Sequence, residues 1–221
     1  MAMAPRNTPA GSATADHILN VAERLAQTRG FNGFSYADIA TEVGITTASL
    51  HYHFATKADL GRALVTRYTE AFQRALDAIG STEADASGKL RRYVRIYRDL
   101  LGADRMCLCG MFAAEYATLP APVQQELRRF FDANERWLIG VMEQGRHDGT
   151  VRFEGAARDM AGLLTGALEG AMLLARSYGD DSRFGLAVEQ LLATLAPAEP
   201  TAVPAAAPKE ARARRAATAR T

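Results

Sequence analysis

Apolar residues recur at helical spacing along almost the whole chain, and this periodicity restricts the possible folds more than any other feature. One example is the series Leu60, Leu64, Tyr68, Phe72 and Leu76. A spacing of three or four places apolar side chains on one face of an α-helix, whereas a half-buried strand needs alternation. The run from Val151 to Phe153 is too short to count as a strand. The pattern therefore predicts an all-α protein of about nine helices.

Short polar signals predict where these helices begin and end. Ser35 with Asp38, and Thr56 with Asp59, have the capping-box spacing that satisfies free N–H groups in a first helical turn. Gly44 tolerates the left-handed backbone that ends many helices. The predicted helices are 14–29, 36–43, 47–54, 56–78, 89–101, 109–118, 123–145, 156–178 and 181–196.

Composition indicates a soluble globular protein, with 48% hydrophobic and 23% charged residues. Cys107 and Cys109 are too few and too close for a disulfide framework, which favours a reducing, cytoplasmic location. The N-terminus lacks the apolar run of a signal peptide, and no window of 18 uncharged apolar residues predicts a membrane span. A net charge of +1 does not by itself indicate a nucleic-acid partner.

The two ends of the chain differ in composition from the rest. Residues 1–13 contain Pro, Gly, Ser and Thr and are predicted to form a flexible arm. Residues 197–221 are rich in Ala, Pro and Arg, cannot bury a core, and are predicted to be disordered. The basic residues after Lys209 are interpreted as a solubilising charge run more readily than as a DNA-binding arm.

Two histidines and two aromatic residues crowd the segment GITTASLHYHFATKADL, residues 44–60. His51 and His53 are 200° apart on a helix, so one helix cannot present both to a single metal ion. No acidic residue at helical spacing completes a site, and no local Ser, Cys or Asp is placed to pair with either ring. The sequence therefore predicts no metal, no cofactor and no catalytic residue here, and the protein is not expected to be an enzyme.

Contact with a macromolecular partner is better supported, because the residues before this segment predict a helix-turn-helix. Ala40 and Gly44 allow the second helix to pack closely on the first. The second helix then presents short polar and ring-bearing groups outward, which suit phosphates and base edges. Lys57, in the first turn of the next helix, is expected to clamp a phosphate.

The stretch GFNGFSYADIATEVGITTASLHYHFATKADL, residues 30–60, resembles the DNA-binding domain of the TetR family of transcriptional regulators. The resemblance implies a three-helix helix-turn-helix domain over residues 14–61 and a helical effector-binding and dimerisation domain over 62–196. It implies base contacts at the start of the recognition helix. Many members have tyrosine where this chain has His51, for which packing and DNA contact both stay open. The implied DNA-binding residues are Ser35, Tyr36, Thr46, Thr47, Ala48, Ser49, His51, Tyr52, His53 and Lys57.

Two further sets of residues in the second domain fit either a plain core or a function that the resemblance implies. A flexible apolar effector pocket would use aromatic residues and methionines, and Glu115 could orient a polar ligand or form a structural hydrogen bond. The candidate pocket residues are Tyr93, Tyr97, Met106, Cys107, Met111, Phe112, Glu115, Tyr116, Trp137 and Met142. The candidate dimer seam, in the last two helices, consists of Gly162, Gly166, Leu168, Gly170, Met172, Phe184, Val188, Leu191 and Leu195.

The function implied by the resemblance is a homodimeric repressor that leaves a palindromic double-stranded DNA operator when a small-molecule effector binds. An alternative is a regulator that senses oxidants or electrophiles through Cys107, because MCLCGMFAAE resembles the corresponding segment of some family members. A helix N-terminus and Arg105 would favour the thiolate there, although free cysteines usually pack as small apolar residues. A helical enzyme and an architectural DNA-binding protein are weaker alternatives.

Overall fold

A computed structural model describes residues 9–197, while residues 1–8 and 198–221 lie outside the described residues. The prediction of an all-α protein with about nine helices is confirmed for this range, which contains no strand. The elements are α1 (Pro9–Arg29), α2 (Tyr36–Val43), α3 (Thr47–His53), α4 (Lys57–Thr82), α5 (Ala86–Gly102), α6 (Leu108–Ala114), a 3-10 turn (Tyr116–Thr118), α7 (Ala121–Asp148), α8 (Ala157–Tyr178) and α9 (Ser182–Leu195).

Both predicted capping boxes are formed. The Ser35 hydroxyl accepts the Asp38 N–H at 3.3 Å, and the Asp38 carboxylate accepts the Ser35 N–H at 2.7 Å. At the start of α4, the Asp59 N–H donates to the Thr56 hydroxyl at 3.1 Å, and the Thr56 N–H donates to the Asp59 carboxylate at 3.1 Å. These reciprocal bonds satisfy N–H groups that a helix start leaves free.

Several boundaries differ from the prediction. Helix α1 begins at Pro9, so residues 9–13 belong to a helix and not to a flexible arm; proline suits a first helical turn because it has no N–H to leave unsatisfied. Helix α4 continues to Thr82 because Ile79 adds another buried turn. The predicted helix at 109–118 is divided into α6 and the 3-10 turn. The predicted disorder of 198–221 falls outside the described residues.

Helices α1–α3 form a small unit, and α4 connects it to the larger bundle. Leu60 and Gly61 of α4 are buried beside the first three helices, and Phe72 and Leu76 are buried in the bundle, where α4, α7 and α8 pack together. Hydrogen bonds join the bundle to the end of α1: Met106 N–H donates to Gln27 O at 3.2 Å, and Arg176 donates to Thr28 O at 2.9 Å. No helix within residues 9–197 is long and apolar enough to cross a membrane.

Candidate functional site

The turn between α2 and α3 sets the direction of the second helix. Gly44 has a φ of 77°, in the left-handed region that glycine adopts without a steric cost. The N–H groups of Gly44 and Ile45 both donate to Ala40 O at 3.0 Å, which ends α2 and reverses the chain. Leu50 is completely buried and anchors α3 against the small core. This geometry is the predicted helix-turn-helix.

The outer face of α3 is polar and open to solvent. Thr47, Ala48 and Tyr52 are exposed, while Ser49 and His53 are half-buried. Tyr52 is 80% exposed, so packing within the chain does not explain its ring. Thr46 caps the helix, because its hydroxyl accepts the Ser49 N–H at 3.1 Å. The face therefore presents hydroxyl, methyl and ring groups on a single helix, and the major groove of DNA is wide enough to admit one helix.

Two of the predicted contact residues hold the end of α3 in place. The Tyr36 hydroxyl donates to Phe54 O at 2.9 Å, and burial, assisted by the charge of Asp59, raises the pKa of Tyr36 to about 12. The His51 ring lies 4.6 Å from the Tyr36 ring, and its Nδ1 lies 3.0 Å from Ala55 O. A carbonyl only accepts, so Nδ1 must carry a proton there, and Nε2 is left to face outward. His51 thus has a packing role that leaves one ring nitrogen for contact.

Lys57 does not have the open ammonium that the sequence suggested. Its Nζ donates to Phe34 O and lies 4.9 Å and 4.6 Å from the ring centroids of Phe31 and Phe34. Burial lowers the pKa of Lys57, and the charge of Glu115 opposes this effect. The long flexible stem allows the charge to turn back onto the α1–α2 connection, so in this structure the half-buried Lys57 joins α4 to that connection.

A second group of polar side chains lies inside the bundle. The Asn134 amide donates to the Tyr93 hydroxyl at 2.8 Å, which shares a 3.0 Å hydrogen bond with the Tyr97 hydroxyl. The Tyr68 hydroxyl is 3.8 Å from Cys107 Sγ. All five residues are buried.

Glu169 of α8 completes this group, which we call the polar cluster. The members of the polar cluster are Tyr68, Tyr93, Tyr97, Cys107, Asn134 and Glu169. Burial raises the pKa of the Glu169 carboxyl to about 7, against a smaller lowering by its hydrogen bond with Cys107. The Glu169 residue as a whole is half-buried, but its Oε1 is enclosed. Neither this oxygen nor Asn134 Oδ1 has a hydrogen-bond partner in the part of the chain that the structure describes. The chain makes room for the carboxylate at Gly110, where any Cβ would overlap Glu169 Oε2.

The environment of Cys107 overturns the expectation of a favoured thiolate. Cys107 does cap α6, since the Gly110 N–H lies 3.4 Å from its Sγ. Burial first, and then the adjacent charge of Glu169, raise the pKa of the Cys107 thiol well above its ordinary value. Desolvation of a thiolate therefore outweighs the favourable dipole of a seven-residue helix.

Comparison with known proteins decides the family. Residues 18–64 match the model described as bacterial regulatory proteins, tetR family, and residues 86–191 match the tetracyclin repressor-like C-terminal domain. The chain is similar to a TetR-family transcriptional regulator from Agrobacterium tumefaciens, with 34% identity, a TM-score of 0.82, and coverage of 84% of this chain and 99% of that one.

The chain belongs to the TetR family of transcriptional regulators. A TetR regulator from Legionella pneumophila is similar as well, with 32% identity, a TM-score of 0.75, and coverage of 88% of this chain and all of that one. The HTH-type transcriptional regulator AcrR of Shigella flexneri is 24% identical over 192 residues, which are 80% of this chain and 86% of AcrR. The resemblance inferred from residues 14–61 is thus confirmed.

In this TetR-family protein, most of the predicted dimer seam lies in the protomer's own core. The residues concerned are Leu168, Met172, Phe184, Val188 and Leu195, all 3% exposed or less. The large apolar residues that α8 and α9 leave exposed are Leu163, Leu173, Leu174, Tyr178 and Leu186. Gly162 and Gly166 are exposed, whereas Gly170 and Leu191 are half-buried. A core stripe and a seam stripe have the same apolar periodicity, and only the packing of α8 against its neighbours distinguishes them.

The predicted pocket residues also divide into two groups. Tyr93, Tyr97 and Cys107 belong to the polar cluster, and Trp137 stacks on Tyr93 with a 5.6 Å separation of ring centroids. Met106 and Met142 are buried as well, and Met111 is half-buried.

The other three predicted pocket residues, Phe112, Glu115 and Tyr116, have their contacts outside the polar cluster. Glu115 accepts the Asn32 N–H at 3.0 Å, and the Phe112 ring lies 5.2 Å from that of Phe31. Both therefore hold α6 against the DNA-binding unit, which consists of α1–α3 and their connections. Tyr116 is on the surface and pairs with Arg128. Glu115 therefore forms a structural hydrogen bond here.

Sequence reasoning missed three members of the polar cluster. Glu169 is the lone charge in the apolar run from Met160 to Ala175, and Asn134 is a lone amide at a core position of α7. A single polar residue on an apolar helical face is a signal for a buried polar site, and these two could have been found by it. Tyr68 gave no such signal, because a tyrosine in an apolar stripe is ordinary core.

Proposed function

We propose that this TetR-family chain is a dimeric, cytoplasmic transcriptional repressor that binds a palindromic DNA operator through α3 and is released by a small-molecule effector. The observation that carries the proposal is the exposed polar face of α3, presented at the left-handed turn at Gly44. A short recognition helix of this kind enters the major groove with its N-terminal residues nearest the bases.

Individual roles on α3 follow from exposure. Thr47 and Ala48 lie at its N-terminus and are proposed to contact base edges, where a methyl group can meet thymine and a hydroxyl can meet any base. Tyr52, at the far end and almost fully exposed, is proposed to bind a phosphate. Phosphate contacts position the protein without distinguishing sequences.

Dimerisation is supported by glycines that the protomer does not need. A Cβ added at Gly162, Gly166 or Gly170 would meet no side chain or other helix of residues 9–197 within 4 Å, although glycine inside a helix costs about 1 kcal/mol relative to alanine. Next to these glycines the protomer exposes Leu163 and Leu174. A partner helix that packs closely on this face would account for both features.

An effector site is supported by the polar cluster and by its link to the DNA-binding unit. Cys107, in the cluster, caps the start of helix α6, and Glu115 follows its last residue and holds Asn32 between α1 and α2. A ligand that moves the residue before this short helix would therefore also move the contact at the residue after it. Such a displacement would change how α3 is presented.

The proposed DNA binding is tested by selecting binding sites from random double-stranded DNA with the full-length protein. We expect a palindrome whose half-sites are about one helical turn apart or slightly more. Thr47→Ala should change the preferred bases, because it removes a base contact. Tyr52→Phe should weaken binding to every sequence about equally. Absence of any selected consensus, or Tyr52→Phe changing base preference while Thr47→Ala does not, would contradict these assignments.

The dimer is tested with a matched pair of glycine substitutions. Gly166→Leu should give a monomer by light scattering at micromolar concentration, because the side chain would fill the face on which the partner packs. Gly140→Leu is the control, since Gly140 is also an exposed helical glycine with open space around its Cα. It should stay dimeric. If both variants have the same oligomer mass as the wild type by light scattering, the dimer interface lies elsewhere.

A further inference from the structure

Two hydrogen-bond acceptors of the polar cluster are left unpaired. Glu169 Oε1 and Asn134 Oδ1 are both enclosed and have no partner among residues 9–197. The hydroxyls of Tyr93 and Tyr97 already share one hydrogen bond, and the amide of Asn134 is used on Tyr93. Buried acceptors without a donor are costly and uncommon in proteins. An N–H or O–H donor from outside the chain would pair these two acceptors.

The cluster also lacks a positive charge. Among residues 9–197, the influences on the pKa of Glu169 are burial and Cys107, with no contribution from a cationic side chain. Tyr68, Tyr93 and Tyr97, from α4 and α5, and Cys107 and Cys109, from α6, are the ionisable groups that sense its charge, and each is neutral or becomes anionic. An enclosed carboxylate is ordinarily paired with a cation.

The surroundings suit a cation that carries an apolar body. The rings of Phe72, Tyr97 and Trp137 line the cluster through edge-to-face and stacked contacts with Tyr93. Aromatic faces attract an ammonium group, and methionines and rings accommodate apolar ligands of varied shape. Gly110 and Glu169 are half-buried as whole residues, although Glu169 Oε1 itself is enclosed between α8 and α6.

We propose that the effector is a small organic cation, a primary or secondary ammonium on an apolar body, whose N–H groups donate to Glu169 and Asn134. This inference names the ligand class for the effector site of the proposed function and rests on it. The ammonium supplies both missing features at once, the donors and the positive charge. Cys107 and Gly110, at the start of α6, lie beside Glu169. The cation would therefore bind at the start of α6, while Asn32 is held at its end.

Protonation provides an independent signature. The free carboxyl has a pKa of about 7, so near pH 7 about half of the molecules hold a proton on Glu169. A bound ammonium requires the ionised form, so binding should release about half a proton per site at pH 7. A neutral ligand that binds elsewhere in the bundle would release none.

The experiment uses the full-length protein and the fluorescence of Trp137, the chain's single tryptophan, which stacks on Tyr93. Butylamine, hexylamine and 2-phenylethylamine are titrated at pH 7 against the corresponding alcohols. We expect at least one amine to bind at least about tenfold more tightly than its alcohol, since removing a charge partner from a buried carboxylate costs at least a factor of ten. Calorimetry in buffers of different ionisation enthalpy measures the proton released.

Two variants separate a ligand contact from general packing. Glu169→Gln keeps the shape and should abolish both the preference for the amine and the proton release. Glu143→Gln is the matched control, because Glu143 is an exposed carboxylate on α7 and should leave both unchanged. Equal affinity of amines and alcohols, no binding by any amine, or an unaltered preference in Glu169→Gln would overturn the proposal.

A DNA measurement distinguishes this inference from the proposed function. The amine that binds is added to the protein on its selected DNA site, and release is followed by fluorescence anisotropy. Specific DNA binding without any amine binding would reject the ligand class and leave the repressor intact. Amine binding at Glu169 in a protein that selects no DNA would reject the repressor and retain the cation site. Amine binding that leaves DNA affinity unchanged would overturn the identification of the cation as the effector.

Discussion

The Glu169→Gln substitution should make the protein more stable at neutral pH and have less effect in acid. The carboxyl has a pKa of about 7 when folded, against an ordinary value of 4.5, because burial disfavours its charged form. Between these values the folded state holds a proton that the unfolded state has lost. The contribution of Glu169 to stability therefore falls as pH rises from about 4.5 to about 7, and is constant above that range.

The magnitude follows from the same two pKa values. Each pH unit between them is worth about 1.4 kcal/mol, so ionisation destabilises the wild type by about 1 kcal/mol at pH 5, about 2 kcal/mol at pH 6 and about 3 kcal/mol at pH 8. Glutamine keeps the size of the side chain and never ionises. The difference in unfolding free energy between Glu169→Gln and wild type should thus grow by about 2.5 kcal/mol from pH 5 to pH 8.

Urea unfolding of both proteins, at equal protomer concentration and at four pH values, measures this difference. Other titrating groups are the same in the two proteins and cancel. A constant offset between the curves is acceptable, because glutamine also brings an amide into the cluster. Parallel pH profiles would show that the carboxyl is solvated or already paired, which would refute the reasoning about the polar cluster.

Three other substitutions or modifications probe single contacts. Lys57→Met should cost about 1 to 2 kcal/mol of stability, because it removes a charge-assisted bond to Phe34 O and two cation–π contacts. It should change the slope of log DNA affinity against log salt concentration by less than one. Arg62→Met, an exposed control on α4, should leave stability unchanged, and equal stability of the two variants would refute the inward role of Lys57. Iodoacetamide should modify Cys107 at pH 7 at least about 100-fold more slowly in the folded protein than in urea, because burial suppresses the thiolate. Comparable rates in the folded and unfolded protein would support Cys107 as a sensing thiol. Gly110→Ala should shift the end of the Glu169 side chain, because its methyl group overlaps Oε2. Alanine offsets part of this cost by about 1 kcal/mol of helix propensity. We expect a net loss of about 1 kcal/mol, and an unchanged or raised unfolding midpoint would show that Glu169 moves freely.

Features that depend on neighbours in the chain were determined by the sequence alone. The two capping boxes span three residues each, and their hydrogen bonds form wherever a helix starts. The glycine turn between α2 and α3 depends only on which backbone angles Gly44 can adopt. The apolar periodicity similarly sufficed for the number of helices, because spacing of three or four is a property of one segment. The family motif in residues 30–60 is local in the same sense, and it predicted both the fold and the class of function.

Tertiary structure decided the direction and the partners of individual side chains. Leu168 and Leu174 lie on two sides of the same apolar helix, about 120° apart around its axis. Both sides are apolar in the sequence, and the packing of α8 against its neighbours decides that Leu168 is core and Leu174 is exposed. The ammonium of Lys57 sits on a flexible stem, so its position depends on where the Phe34 carbonyl lies in space. The pKa of Glu169 depends on burial by residues distant in the chain. Desolvation is a property of the assembled core, and no local spacing in the sequence encodes it.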